Sequence, residues 1–123
     1  MKMRVYYDDT DAGGIVYHAN YLKYCERARS ELFFEKGKLP TKGGAHFVVK
    51  HIDAEFLSSA KLGDMIEVKY EIKHLGGASM KLYQSVWLKK VKLFEMTSVL
   101  VYAKDGKPLK IDEETRKFLT SLH

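Results

Sequence analysis

Cysteine is almost absent from this sequence: Cys25 is the only one among 123 residues. A lone cysteine excludes an internal disulfide and points to a reducing compartment, so a cytoplasmic location is expected. Long apolar runs are missing as well. The opening MKMRVYYDD passes straight into strand-like residues, and no later run approaches bilayer length, so neither a signal peptide nor a transmembrane segment is expected. There is no internal repeat and no low-complexity segment, and the length predicts one domain over residues 1–123. Acidic residues are outnumbered, 16 against 21 Lys and Arg, for a net charge of +5. That excess favours an acidic partner such as nucleic acid, a membrane surface or a phosphate-bearing small molecule. The bases are scattered, however, and the aromatics lie in apolar alternations rather than among basic clusters. Nucleic acid is therefore not expected as a partner.

What is present is concentrated in one stretch, VYYDDTDAGGIVYHANYLKYCERAR, from Val5 to Arg29. Val5, Tyr6 and Tyr7 have strand character, and the Asp-Ala-Gly-Gly run after them ends it near Asp8. Leu22, Cys25, Ala28, Leu32 and Phe33 then recur at helical spacing, predicting a helix from about Tyr17 to Asn20 through Lys36, stopped by Gly37. A loop follows through GKLPTKGGAH. Phe47 to Leu57 reads as a strand with His51, Asp53 and Glu55 on the side of Phe47 and Val49. Met65 to Lys73 alternates apolar and charged, and Gly76-Gly77 predicts a two-residue turn with glycine at positive φ. Ser79 to Lys89 and Leu93 to Ala103 complete the strands, with Lys89, Lys90 and Lys92 in a basic turn between them that is solvated or contacts phosphate. Asp112 is placed to cap a short final helix docked by Phe118, Leu119 and Leu122.

This order predicts the α+β class: an antiparallel sheet of about five strands with one long helix, about 25 Å, packed across it. One helix covers one face. Tyr83 and Trp87 on the other face, and Val99 to Tyr102 with apolar residues on both, predict a second surface covered by another subunit.

The chemistry follows from the order of loop and helix. A helix start offers N–H groups without intrahelical partners and the positive end of the dipole, and Asp11 stands just ahead of it. A carboxylate beside free donors suits acyl transfer, where one group attacks or activates water and the other stabilises an oxyanion. Taken alone, Asp11 reads more readily as a turn former bonding its own backbone than as a catalytic group. Cys25 reads as a small buried hydrophobe. The His51, Asp53 and Glu55 row and the Asp-Asp-Thr-Asp run are not expected to bind metal, and Glu26 and Glu31 read as ion-pair partners for Arg27 or Arg29.

The residues Tyr7, Asp9 to Tyr21 and Glu26 to Arg29, with weaker likeness through Phe47 to Val49 and Leu62 to Asp64, resemble the hotdog-fold 4-hydroxybenzoyl-CoA thioesterase family. Within it they resemble the YbgC-type acyl-CoA thioesterases of Tol-Pal gene clusters. The resemblance implies a sheet wrapped around a central helix, paired edge to edge in a homodimer and often assembled as a homotetramer, with active sites at the dimer interface. It places the catalytic carboxylate at Asp11 and the carbonyl-polarising N–H at His18, with Tyr7 as a lesser candidate lining the pocket. No cofactor is implied. The hydroxybenzoyl branch has Tyr where this chain has His18, so aromatic substrates are not implied, and Ser59 stands where relatives often carry proline. The implied reaction is hydrolysis of acyl-CoA, or of acyl-carrier protein thioesters. A hydratase or dehydratase using an Asp/His pair, and a non-catalytic acyl-thioester binding module, are the alternatives.

Overall fold

A computed structural model describes residues 1–122. Its elements are β1 (Lys2–Arg4), a 3-10 turn (Tyr7–Asp9), α1 (Asn20–Phe34), β2 (Thr41–Lys42), β3 (Ala45–Phe56), β4 (Met65–Leu75), β5 (Ser79–Leu88), β6 (Val91–Lys104), β7 (Lys107–Pro108) and α2 (Glu113–Thr120). The strands form one antiparallel sheet in the order β1-β4-β5-β6-β3-β2, with β7 also paired to β6. This is the expected α+β hotdog arrangement, with α1 lying across β4 and β5.

Helix and sheet are joined by burial. Tyr21, Tyr24, Cys25 and Ala28 of α1 pack on Ile66, Val68, Val86, Phe94 and Met96 of the sheet. A fully buried side chain of this size stabilises by about 1.5–3 kcal/mol. The Gln84 amide adds a polar pin, donating from Nε2 to the Cys25 carbonyl at 2.8 Å. The helix leaves regular geometry at Phe34, two residues before the expected end at Lys36. Gly37, at φ 68°, turns the chain so that the Gly37 and Lys38 N–H groups reach the Phe34 and Phe33 carbonyls at 3.0 and 2.9 Å. At the far end Asp112 caps α2 as expected, accepting the Thr115 N–H at 2.9 Å, and Leu119 buries against Met80, Leu82 and Leu100.

Four expectations need correction. The sheet has seven strands, because Gly43-Gly44 (φ 57° and 85°) and Asp105-Gly106 (φ 52° and 76°) close tight hairpins onto the two-residue strands β2 and β7. At Gly76-Gly77 the reverse holds. Neither glycine has positive φ, and the loop spans residues 76–78. A Cβ on Gly76 would meet Ser79 Oγ at 3.2 Å, while the Gly76 and Gly77 carbonyls accept from the Arg116 guanidinium at 2.6 Å and the Ile111 N–H at 2.9 Å.

The first strand lies earlier than expected, at Lys2–Arg4 on β4, and Tyr7 sits in the 3-10 turn. Val5 N–H bonds to the Asp64 carbonyl and the Val5 carbonyl to the Gly63 N–H, both at 2.9 Å, so a loop takes the backbone that a further strand residue would need. In β3, a bulge between Val49 and His51 breaks the period of two. Phe47 and Val49 pair with Tyr102 and Leu100 on the helix side, whereas His51, Asp53 and Glu55 pair with Val99, Thr97 and Glu95 on the outer side.

On that outer face, lysines cover the aromatics within the chain. Lys69 lies over the Trp87 ring at 4.6 Å and Lys73 over Tyr83 at 5.5 Å, and Lys92 bonds to the Tyr83 hydroxyl and to Glu95, each at 3.0 Å. Lys92 is thereby turned inward from the basic turn, leaving Lys89 and Lys90 at its tip. Among the described residues, no helix is long and apolar enough to cross a membrane.

Candidate active site

The loop from β1 to α1 is held at its root by Asp9, a carboxylate only 7% exposed. Asp9 Oδ2 accepts the Tyr6 N–H at 2.9 Å. The Asp9 carbonyl accepts the Tyr17 N–H at 2.9 Å and Asn20 Nδ2 at 3.2 Å, and Oδ1 lies 3.3 Å from the same Asn20 nitrogen. Asp9 therefore fastens the 3-10 turn to the first residue of α1. Asn20 is consumed in this tie rather than capping the helix, and the cap position falls to Ala19, which offers no side-chain acceptor.

Above that root, residues 10–16 form a small antiparallel loop. Thr10 bridges Val16 and Ile15 bridges Lys61, while the Asp11 N–H bonds to the Ile15 carbonyl at 2.9 Å. Asp11 is at the exposed tip. Its Oδ1 accepts the Gly13 N–H at 2.8 Å, and a Cβ on residue 13 would stand 3.2 Å from that oxygen, so the glycine leaves room for the carboxylate to fold over the loop. Oδ1 is thus engaged in a turn bond, as the bland reading of Asp11 expects, while Oδ2 has no partner among the described residues.

His18 lies where the loop enters the helix. Its carbonyl accepts the Tyr21 N–H at 3.3 Å, and its own N–H has no acceptor among the described residues. Its imidazole is exposed, 4.5 Å from the Tyr17 ring and 6.0 Å from the Phe56 ring between centroids. The structure therefore brings a carboxylate and an unsatisfied helix-start donor onto one short exposed loop. No hydrogen bond joins the Asp11 and His18 side chains. Tyr7 stands apart, 81% exposed on the 3-10 turn. Exposed Ile15, Tyr17, Phe56 and Leu57 make the surround apolar and open.

The remaining candidates separate. Cys25 is fully buried, and desolvation pushes its thiol up to about 12, so it is inert at neutral pH. Glu26 does not pair with an arginine as expected; it accepts Ser30 Oγ at 3.1 Å, and no ion pair joins Glu31 to Arg27 or Arg29 among the described residues. His51 and Asp53 meet at 3.2 Å on the exposed face, and no described group of three His, Cys, Asp or Glu is arranged to hold a metal ion. Sequence reasoning missed the anchoring role of Asp9, whose only signal was an acidic residue eleven positions before an asparagine at a helix start. It also missed Phe56, brought to His18 only by tertiary packing.

A family profile described as "Thioesterase superfamily" matches residues 13–95. The chain belongs to the thioesterase superfamily. It is 44% identical over 108 residues to the acyl-CoA thioesterase YbgC of Helicobacter pylori, covering 87% of this chain and 81% of that protein. It is 40% identical over 113 residues to the acyl-CoA thioester hydrolase YbgC of Escherichia coli, covering 89% and 82%. Among solved structures, a thioesterase from Thermus thermophilus described in complex with coenzyme A and zinc superposes with TM-score 0.83 at 27% identity, over 98% of this chain and 91% of that one. The chain is accordingly a thioester hydrolase, and the YbgC-type likeness carried by Tyr7 to Arg29 extends over most of its length.

Proposed function

We propose that this chain hydrolyses acyl-CoA to the free acid and CoA, with Asp11 as nucleophile or general base and the His18 N–H as oxyanion donor. The observation that carries the proposal is the unsatisfied N–H at the start of α1 on the same exposed loop as the Asp11 carboxylate. In the general-base version water adds to the carbonyl carbon and the C–S bond breaks. In the nucleophile version an Asp11 oxygen adds, the C–S bond breaks, and water then hydrolyses the acyl–Asp11 anhydride to restore the carboxylate. In both the CoA thiolate takes a proton. The oxyanion formed on the way is stabilised by the aligned N–H and the helix dipole behind it. The His18 imidazole is an added candidate for orienting water or protonating the thiolate, and Tyr7 for lining the pocket. Thioesters on acyl-carrier protein present the same reacting atoms. The names of the Helicobacter and Escherichia relatives support acyl-CoA.

The site reads as one half of a shared one. From Phe47 to Phe56, β3 pairs only with β6, leaving its other edge open beside the apolar surround of His18. An edge of that length is a template for a second copy. We therefore assign a homodimer joined through β3, and a homotetramer as its further assembly.

The test is thiol release from short, long and aromatic acyl-CoAs by wild type, Asp11→Asn and His18→Ala. A loss of about a hundredfold or more in Asp11→Asn, with unchanged unfolding, is expected. Near-normal turnover in that variant overturns the assignment of Asp11. His18→Ala keeps the backbone donor, so near-normal turnover there confines the role of His18 to its N–H. Hydration of an enoyl thioester without thiol release, or tight binding without turnover, overturns the hydrolase reading of the site.

A further inference from the structure

Of the two arginines on α1, Arg27 is exposed to solvent, whereas Arg29 is drawn inward without a partner. Arg29 is half-buried, and the guanidinium has no hydrogen bond and no ion pair among the described residues. An arginine carries five fixed donors, and desolvating them without acceptors is costly. Burial works against its charge, offset only in part by the field of Glu26. Glu26 itself accepts Ser30 Oγ at 3.1 Å, beside the cavity that Arg29 lines.

Arg29 lines a cavity of about 190 Å³ whose other walls include Glu26, Ser30, Phe33, His46, Phe47 and Met80. More of the lining is apolar than polar, so a ligand here meets Phe33, Phe47 and Met80 along its length and Arg29 as the one guanidinium, with the Glu26 carboxylate of the same wall engaged by Ser30 Oγ. The cavity is on the same helix as the reacting loop. His18 and Arg29 are eleven residues apart, which at ~1.5 Å per residue is about 16 Å along α1. Phe47 and Phe56, both on the helix side of β3, stand near the two ends of the same strand.

Resting on the thioesterase reading above, we propose that the Arg29 cavity is a specificity site for the far end of the acyl chain, taking an acyl group that ends in a carboxylate. The planar guanidinium binds such a group bidentately, and the apolar walls hold the methylenes that lead to it. The same anionic-oxygen chemistry is carried by the phosphates of CoA. The mainly apolar lining favours the acyl carboxylate, because a phosphate keeps more of its water.

The experiment compares acyl-CoAs matched in chain length, one ending in methyl and one in carboxylate, on wild type, Arg29→Gln and Arg29→Lys. Wild type is expected to favour the carboxylate member in kcat/KM by at least tenfold. Arg29→Gln is expected to lower that ratio by about 10- to 100-fold, as for loss of a charged hydrogen-bonded contact, and Arg29→Lys to restore part of it. The ratio within each protein is independent of overall activity. Binding of the same pair to the Asp11→Asn background, by calorimetry, reads the discrimination without turnover and separates this proposal from the hydrolysis assignment. No preference in wild type by either readout overturns the acyl-terminus site. So does a loss in Arg29→Gln that is equal for both acyl groups and vanishes with acyl-pantetheine thioesters, which assigns Arg29 to a CoA phosphate. Dissociation of the dimer in Arg29→Gln with the ratio intact also overturns it, by assigning the guanidinium to the subunit contact.

Discussion

The two flanks of α1 are finished to different degrees. Toward β4 and β5 the first turns of the helix are sealed, with Tyr24, Cys25, Ile66 and Val86 at 1% exposure or less and the Cys25 carbonyl bonded to Gln84, and a cavity opens only past Ala28. Toward β3 the strand keeps an unpaired edge, Phe56 is 53% exposed, and Arg29 has a cavity but no acceptor. Stability is concentrated on the sealed flank. Open apolar surface, which the isolated chain would be better without, is concentrated on the other. In the function proposed above, a ligand and a second copy are what complete that flank.

Two phenylalanines in contact across this divide give the largest test. Phe94 is fully buried and Phe56 half-exposed, with ring centroids 5.1 Å apart. Phe94→Ala is expected to cost about 3–5 kcal/mol of stability. Phe56→Ala should cost about 1 kcal/mol, since only about half its surface is removed from water, while weakening acyl-substrate turnover. Urea midpoints for both variants check this. Equal costs would show the β3 flank to be as closed as the other.

Two carboxylates in one loop give the next. Asp9 is buried and accepts from Tyr6 and Asn20, whereas Asp11 is exposed and bonded only to Gly13. Asp9→Ala leaves the Tyr6 N–H without an acceptor and Asn20 Nδ2 with only the backbone carbonyl, and is expected to cost about 1–3 kcal/mol in thermal unfolding. Asp11→Asn should leave stability within about 0.5 kcal/mol while removing activity. If Asp11→Asn unfolds as easily as Asp9→Ala, the division of the loop into an anchor and a reactive tip fails.

The same divide explains what could be read from the sequence. Much of the sealed flank was legible because burial writes itself into periodicity: the spacing of Cys25 and Ala28 and the alternation of Ile66, Val68 and Tyr70 follow directly from packing. Leu22, read on the same helix face, is 36% exposed, and Tyr21 and Tyr24 fill the core instead. Irregular backbone was not legible. Glycine pairs occur at 43–44 and at 76–77, but only the first adopts positive φ. The difference is made by Ile111 and Arg116, more than thirty residues downstream of the second pair, which claim its carbonyls. The bulge at Val49/His51 has no composition of its own, and it moved His51, Asp53 and Glu55 to the outer face. For the site, the proposal of Asp11 and His18 came from family likeness, whereas the unpaired state of Arg29 emerges only when Glu26 is seen bonded to Ser30.

The smallest test concerns the end of the sealed flank, where charge rather than burial does the holding. Asp112 caps α2, accepts the Tyr102 hydroxyl at 2.8 Å, and meets Lys42 of β2 at 2.9 Å. Desolvation works to raise its carboxyl, and the hydrogen bonds from Lys42, the Thr115 N–H and Tyr102 outweigh that, holding it well below the usual carboxylate range. A carboxyl depressed in the folded state contributes stability that is fully present above its unfolded value of about 4 and is lost as pH falls toward its folded value. Asp112→Ala is therefore expected to cost about 1 kcal/mol at neutral pH, as for loss of a helix cap. The gap in melting temperature between the two proteins should narrow from about pH 5 down to about pH 2. A gap that stays constant over that range would mean that α2 is held by Leu119 and its apolar neighbours alone, extending the burial-dominated flank to the end of the chain.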